Sequence, residues 1–198
     1  MKILFATSNA GKVNEIKNAV DSSRIEIIPQ DFSPVEETAT TFVENALLKA
    51  RHAAEKSVLP VLADDSGLVV DALHGQPGIF SSRYAGDECN PKKNIEKLLR
   101  ELELKKVPDE KRNAYFYCVL VYLKYADDPT PIICEGIWHG KILFAPQGEE
   151  SFGYDPIFYV PEKNCSAAEL PLTIKNQLSH RGQAIQQWMK KINESTFR

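Results

Sequence analysis

The sequence predicts an α/β domain built on a mixed sheet flanked by helices, and three stretches carry that prediction. The chain begins KILFAT, a short apolar run, followed by the loop Ser8-Asn9-Ala10-Gly11 and then helical spacing at Val13, Ile16 and Val20. Near the middle, VLADDSGLVVD, from Val61 to Asp71, places two adjacent carboxylates, a hydroxyl and a glycine between two apolar runs. Later, Ala114 to Leu123 is β-branched and aromatic on both faces, as a central strand is. The turn residues DDPTP then lead to Ile132–Ile137, the pattern of an antiparallel pair. A strand–loop–helix unit suits parallel pairing and a hairpin does not, so the sheet is mixed.

The chain has 198 residues, enough for one well-buried domain spanning 1–198. With 43% hydrophobic and 26% charged residues its composition is that of an ordinary globular protein. A net charge of −3 supplies no global attraction to nucleic acid or an anionic membrane, so neither is expected as a partner. A local basic pocket for a small anion remains compatible with it. The cysteines, Cys89, Cys118, Cys134 and Cys165, form no CxxC pair, which argues against a zinc knuckle or redox motif. Cys118 and Cys134 lie in strand-like runs and read as buried thiols. The first residues are too short an apolar run for a signal peptide, and no stretch approaches transmembrane length. A cytoplasmic protein is expected.

Taken in order, Lys2 to Thr7 is a first strand and Lys12 to Asp21 a helix. Ile25 to Pro29 is a second strand. Thr41-x-x-Glu44 is a capping box before a helix with Phe42, Ala46, Leu47, Ala50 and Ala53 as its apolar positions. Val61 to Ala63 reads as a short buried strand ending where the charges begin, with a turn at Gly67 before Val69 and Val70 resume. Gly75-Gln-Pro77-Gly78 marks a turn, and Ser81 to Gly86 is loop-like. Asn90-Pro91 caps and opens a helix through about Leu104. A last helix runs from about Gln183 to Asn193. There is no internal repeat or low-complexity tract.

Carboxylates at the end of a buried strand are where α/β proteins commonly hold a divalent cation against substrate phosphates. Strand, glycine loop and helix together point backbone N–H groups and a helix dipole at an anion. The N-terminal loop is not a Walker A loop, since Lys12 is followed by Val13, and it is not GxGxxG.

Four separated motifs, TSNAGK, ADDSG, FGYDPIF and LSHRGQA, together resemble the inosine triphosphate pyrophosphatase family. The similarity runs nearly end to end and includes EET, ENALLKAR and GxPGIxSxRYxG. The resemblance implies an elongated fold with two lobes and a nucleotide cleft, a homodimer, and a requirement for Mg²⁺. The implied activity is hydrolysis of ITP, dITP and XTP to the nucleoside monophosphate and pyrophosphate. By position, Thr7, Ser8, Asn9, Ala10, Gly11 and Lys12 would bind the triphosphate. Asp65 would be metal ligand and general base, with Glu37 or its neighbour Glu36 also holding metal. Ser66, Phe152, Gly153, Tyr154, Asp155, Lys175, His180 and Arg181 would contact the nucleotide.

The residue chemistry agrees with those roles. Asp65 and Glu37 are hard oxygen ligands suited to Mg²⁺. Asp64 would serve as partner to Asp65 or orient it. Lys12, Lys49 and Lys175 would act as point charges on phosphate oxygens. Hypoxanthine and xanthine carry an acceptor at C6 where adenine carries a donor, so donors such as Arg181 would favour them. Phe152 would stack on the base. His180 has no second His at a ligand spacing and would orient or contact the base rather than bind metal. An aspartyl-phosphate phosphatase would need DxD followed by Thr, which Asp64-Asp65-Ser66-Gly67 does not supply. A pyrophosphatase for pyrimidine or modified nucleotides would differ only in base preference. A nucleotide-binding sensor would bind without turnover, and the presence of every acidic and basic candidate argues against that.

Overall fold

A computed structural model describes residues 1–20, 24–32, 39–148 and 153–196. Among the described residues seven strands form one sheet. They are β1 (Lys2–Ala6), β2 (Glu26–Gln30), β3 (Val61–Val70), β4 (Asn113–Leu123), β5 (Ile132–Ile142), β6 (Phe158–Val160) and β7 (Cys165–Ser166), in the spatial order β2-β1-β3-β4-β5-β6-β7. β1 pairs in parallel with both β2 and β3, while β6 pairs antiparallel with β5 and with β7. The sheet is mixed, as the sequence predicts. The described residues also form five α-helices: α1 (Ala10–Ala19), α2 (Phe42–Ala54), α3 (Pro91–Leu104), α4 (Leu172–Leu178) and α5 (His180–Thr196). None of the described helices is long and apolar enough to cross a membrane.

The chain divides into two compact units. One comprises Met1–Asp65, Cys118–Gly136 and Ser179–Arg198. Its core gathers Ile3 and Phe5 of β1, Ile16 of α1, Leu62 of β3, Cys118 and Leu120 of β4, and Ile185 and Trp188 of α5. The other comprises Ser66–Tyr117 and Ile137–Leu178. There Leu68, Ile95, Leu98, Leu102, Phe116, Trp138 and Phe158 form the core, with the Phe116 and Phe158 rings tilted at a centroid distance of 4.6 Å. Cys118 and Cys134 are buried thiols as expected.

Local chemistry sets most helix starts. The Asn9 side chain accepts from the Gly11 and Lys12 amides at 2.9 and 3.2 Å, so α1 begins at Ala10, two residues before the reading from apolar spacing. Thr41 accepts from the Glu44 amide at 3.3 Å and opens α2, and Asn90 followed by Pro91 opens α3. At α5 the Ser179 hydroxyl accepts from the Gly182 amide at 3.1 Å, which starts that helix at His180 rather than near Gln183.

The centre differs from expectation in one respect. β3 is continuous from Val61 to Val70, with no turn at Gly67. The carboxylates expected to end the strand are neutralised by neighbouring cations, so the ladder continues past them. Of Ser81 to Gly86, expected to be loop-like, the first three residues belong instead to a 3₁₀ turn over Gly78–Arg83. Ser81 sits inside it, taking the Leu68 amide at 2.8 Å on its hydroxyl and the Tyr154 hydroxyl at 2.8 Å on its carbonyl.

Candidate active site

Side chains of successive strand residues point to opposite faces, and β3 uses this to separate its two acids. Asp64 shares a face with Leu62 and meets Lys12 of α1, whose Nζ lies 3.0 and 2.9 Å from its two carboxylate oxygens. The Arg181 guanidinium of α5 approaches the same carboxylate at 3.5 Å and donates to Glu15 of α1. Asp65 points the other way and accepts from Lys49 of α2 at 2.8 Å. Lys12, Asp64, Arg181 and Glu15 thus form one chain of alternating charge, and Lys49 with Asp65 forms another pair.

Burial divides these groups by accessibility. The side chains of Asp64 and Arg181 are 1% and 5% exposed, those of Lys12 and Lys49 18% and 19%, and that of Asp65 10%. Asp64 is closed off, Arg181 and Asp65 show only an edge to solvent, and the two lysines are partly exposed. Burial by itself would raise the Asp64 carboxyl, but the combined attraction of Lys12, Arg181 and Lys49 holds it well below the usual carboxylate range. Burial pulls Arg181 down, yet Asp64 and Glu15 outweigh it and keep the guanidinium charged. The nearby Cys118 thiol is pushed up to about 12, first by burial and then by Asp64, so it is inert.

The N-terminal loop lies at the end of β1 in the same unit. Ala10 and Gly11 are exposed at the start of α1, and the Asn9 amide donates to the Thr7 hydroxyl at 3.2 Å. Ser8 is also exposed. The Asn9 side chain occupies the Gly11 and Lys12 amides here, so an anion at this terminus would compete with it. His180 is buried at the start of α5, adjacent in sequence to Arg181.

In the other unit, Gly153 takes a left-handed φ of +61°, which glycine tolerates, and Tyr154 and Asp155 follow buried. Lys175 of α4 donates to Asp155. Burial, then Tyr84, raise the Tyr154 phenol, which stays protonated as a donor to Ser81. Ser66 is half-buried on β3 beside Asp65.

The structure therefore brings together Lys12, Lys49, Asp65 and Arg181 in one unit, and Tyr154, Asp155 and Lys175 in the other. Glu36, Glu37 and Phe152 lie outside the described residues. Among the described residues no three His, Cys, Asp or Glu side chains gather as a metal site. Two roles escape a reading of the sequence. Glu15 has a signal, since it neighbours buried Ile16 and lies three residues from Lys12. Asp64 reads in sequence only as a partner of Asp65, although strand alternation already separates the two. Lys49 also carries a readable signal: it lies at helical spacing from Ala46, Ala50 and Ala53 on the buried side of α2.

The dITP/XTP pyrophosphatase of Vibrio cholerae is 53% identical over 196 residues, covering 98% of this chain and 97% of that protein. The solved structure of a HAM1 protein from Coxiella burnetii superposes with a TM-score of 0.91 at 46% identity, covering 98% of this chain and 99% of the other. The Staphylococcus aureus Ham1 protein gives 0.86 at 40% identity, covering 98% and 100%. The Ham1 family profile matches residues 3–191, nearly the whole sequence, and the chain belongs to the Ham1 family.

Proposed function

We propose that the protein hydrolyses deaminated purine nucleoside triphosphates, ITP, dITP, XTP and dXTP, to the nucleoside monophosphate and pyrophosphate, clearing them from the nucleotide pool of the cytoplasm. The observation that carries this is the end-to-end likeness to a protein named dITP/XTP pyrophosphatase. The charge arrangement around β3 and α1 supports it.

Cleaving the α–β anhydride needs water positioned for attack and the phosphate charge offset. Lys12 and Lys49, each ion-paired yet partly exposed, supply that charge. A triphosphate arriving with a divalent cation brings both signs. Lys49 can then turn to phosphate oxygens while Asp65 takes up new partners, and Lys12 can do so while Arg181 stays beside Asp64, so no charge is left stranded. Thr7, Ser8, Asn9, Ala10 and Gly11 provide the exposed helix terminus for the same phosphates. Asp155 and Lys175, with Ser66, Gly153 and Tyr154, contact the nucleotide.

Asp65 is a hard oxygen donor of the kind Mg²⁺ takes, so the donor chemistry fits this ion. With Glu37 or Glu36 it would hold Mg²⁺, which when bound supplies charge neutralisation and acidifies water beside it. Asp65 then accepts the proton of the attacking water. Arg181, fixed by Glu15 and Asp64, donates to the 6-oxo group of the base, with His180 orienting it and Phe152 stacking on it. A donor-to-donor mismatch with adenine costs roughly 1–3 kcal/mol.

A screen of nucleoside triphosphates with and without Mg²⁺, identifying products, tests the reading. Monophosphate and pyrophosphate from ITP, dITP and XTP, with little from ATP or GTP, is the expected result. Phosphate release, or equal use of ATP, would overturn it.

A further inference from the structure

The first turn of α5 sits unusually close to β5. Gly136 has no side chain, and a Cβ built there would lie 1.8 Å from the His180 carbonyl oxygen, 2.8 Å from its carbon and 3.0 Å from the Ala184 amide nitrogen. All three neighbours are helix backbone, so no side chain can swing aside to make room. Glycine inside a strand packs nothing and weakens it, and its presence commonly marks the close approach of another backbone. Two further bonds hold the same helix to the same strand. Gln187 Nε2 donates to the Glu135 carbonyl at 2.7 Å, and Lys191 Nζ to the Ile133 carbonyl at 2.8 Å.

What this seat controls is the residue after His180. Arg181 leaves the seated turn and reaches Asp64 at 3.5 Å, already the outer limit of a hydrogen bond, as well as Glu15. A methyl group at 136 would lift the turn by roughly 1.5 Å to restore ordinary contact distance. The guanidinium would then lose Asp64. We propose that Gly136 is a positioning residue: the α5 seat on β5, closed by Gly136, sets the depth at which Arg181 meets Asp64 and Glu15 and so its alignment with substrate. The last clause rests on the functional reading above.

Double-mutant cycles test it. Arg181→Ala is expected to lower kcat/KM for dITP about ten- to a hundred-fold and for ATP less. Gly136→Ala should lower dITP use to a comparable degree and reduce the preference for dITP over ATP in the same way. Adding it to Arg181→Ala should cost nothing more. Losses that multiply, or a preference that Gly136→Ala leaves intact, would overturn the assignment. The same cycle read in Tm needs no turnover. Arg181→Ala should lower Tm in the wild-type background and by clearly less in Gly136→Ala; additive losses would sink the idea. Failure of the wild type to hydrolyse dITP would refute the functional reading and leave the Tm cycle to decide on Gly136. Should Gly136→Ala not fold, Gln187→Ala combined with Lys191→Ala loosens the seat without a clash. That pair should lower dITP use several-fold in the wild-type background and not in Arg181→Ala; no effect in the wild type would overturn the proposal.

Discussion

Alternation along β3 sends the Asp64 and Asp65 carboxylates to different helices, and different consequences follow at each. Asp64 is buried among Lys12 and Arg181, and its folded pKa lies below the ordinary 3.8. A depressed acid stabilises the fold fully above its unfolded pKa, and that stabilisation is lost as pH falls below it toward the folded value. Wild-type Tm should therefore drop steeply as pH is lowered below about 4. Asp64→Asn takes from Lys12 and Arg181 the carboxylate they share, leaving Arg181 only Glu15 of the two acids, at a cost of about 3–5 kcal/mol near neutral pH, and its Tm should fall less steeply in acid. Parallel Tm-against-pH curves for the two proteins would show that Asp64 is not the group responsible. Asp65 pairs with the partly exposed Lys49, outside the chain of charge through Asp64, Arg181 and Glu15, so Asp65→Asn is expected to keep the fold and abolish turnover of dITP. Turnover within a few-fold of wild type would remove Asp65 from the role of base.

Among the elements, α1 shows how one residue serves two ends. The Asn9 cap starts the helix and at the same time covers amides that a phosphate would need. Asn9→Ala should cost about 1 kcal/mol, a fall of roughly 2–4 °C in Tm for a chain of this size. Thermal unfolding measures it, and an unchanged Tm would mean that the cap contributes nothing. α2 is legible as an amphipathic helix from its capping box and alanine spacing. That Lys49 turns inward to Asp65 follows from the same spacing, read one position further. α4 leaves no comparable trace: seven residues are too few for a periodic signal, and its start rests on the Pro171 carbonyl, which accepts from the Ile174 and Lys175 amides at 3.0 Å.

For the whole molecule, the family resemblance implies assembly as a homodimer, and light scattering at micromolar concentration checks it. A dimer mass near twice the 22.2 kDa chain is expected, and a monomer mass would count against it. Composition and net charge bear only on solubility and on broad partner classes, and assembly is settled by surfaces that no short motif reports.

Read alone, the sequence yields β1, β2, β4 and the start of β5, helices α1, α2, α3 and α5, the caps at Thr41 and Asn90, and the family, because each is written in neighbouring residues or contiguous motifs. It also marked Asp65 and Lys12 as chemistry-bearing. Tertiary structure decided what each charge faces. Glu15 and Arg181 are 166 residues apart, and Lys12 and Asp64 are 52 apart. Their pairing depends on α1, β3 and α5 converging in one unit. The continuity of β3 was decided in the same way, since an Asp-Asp pair ends a strand when solvated and continues it when lysines and an arginine arrive from distant helices. Gly136 had no legible role at all: the reason for a missing side chain is the backbone that fills its space, and that backbone comes from a helix more than forty residues later in the chain.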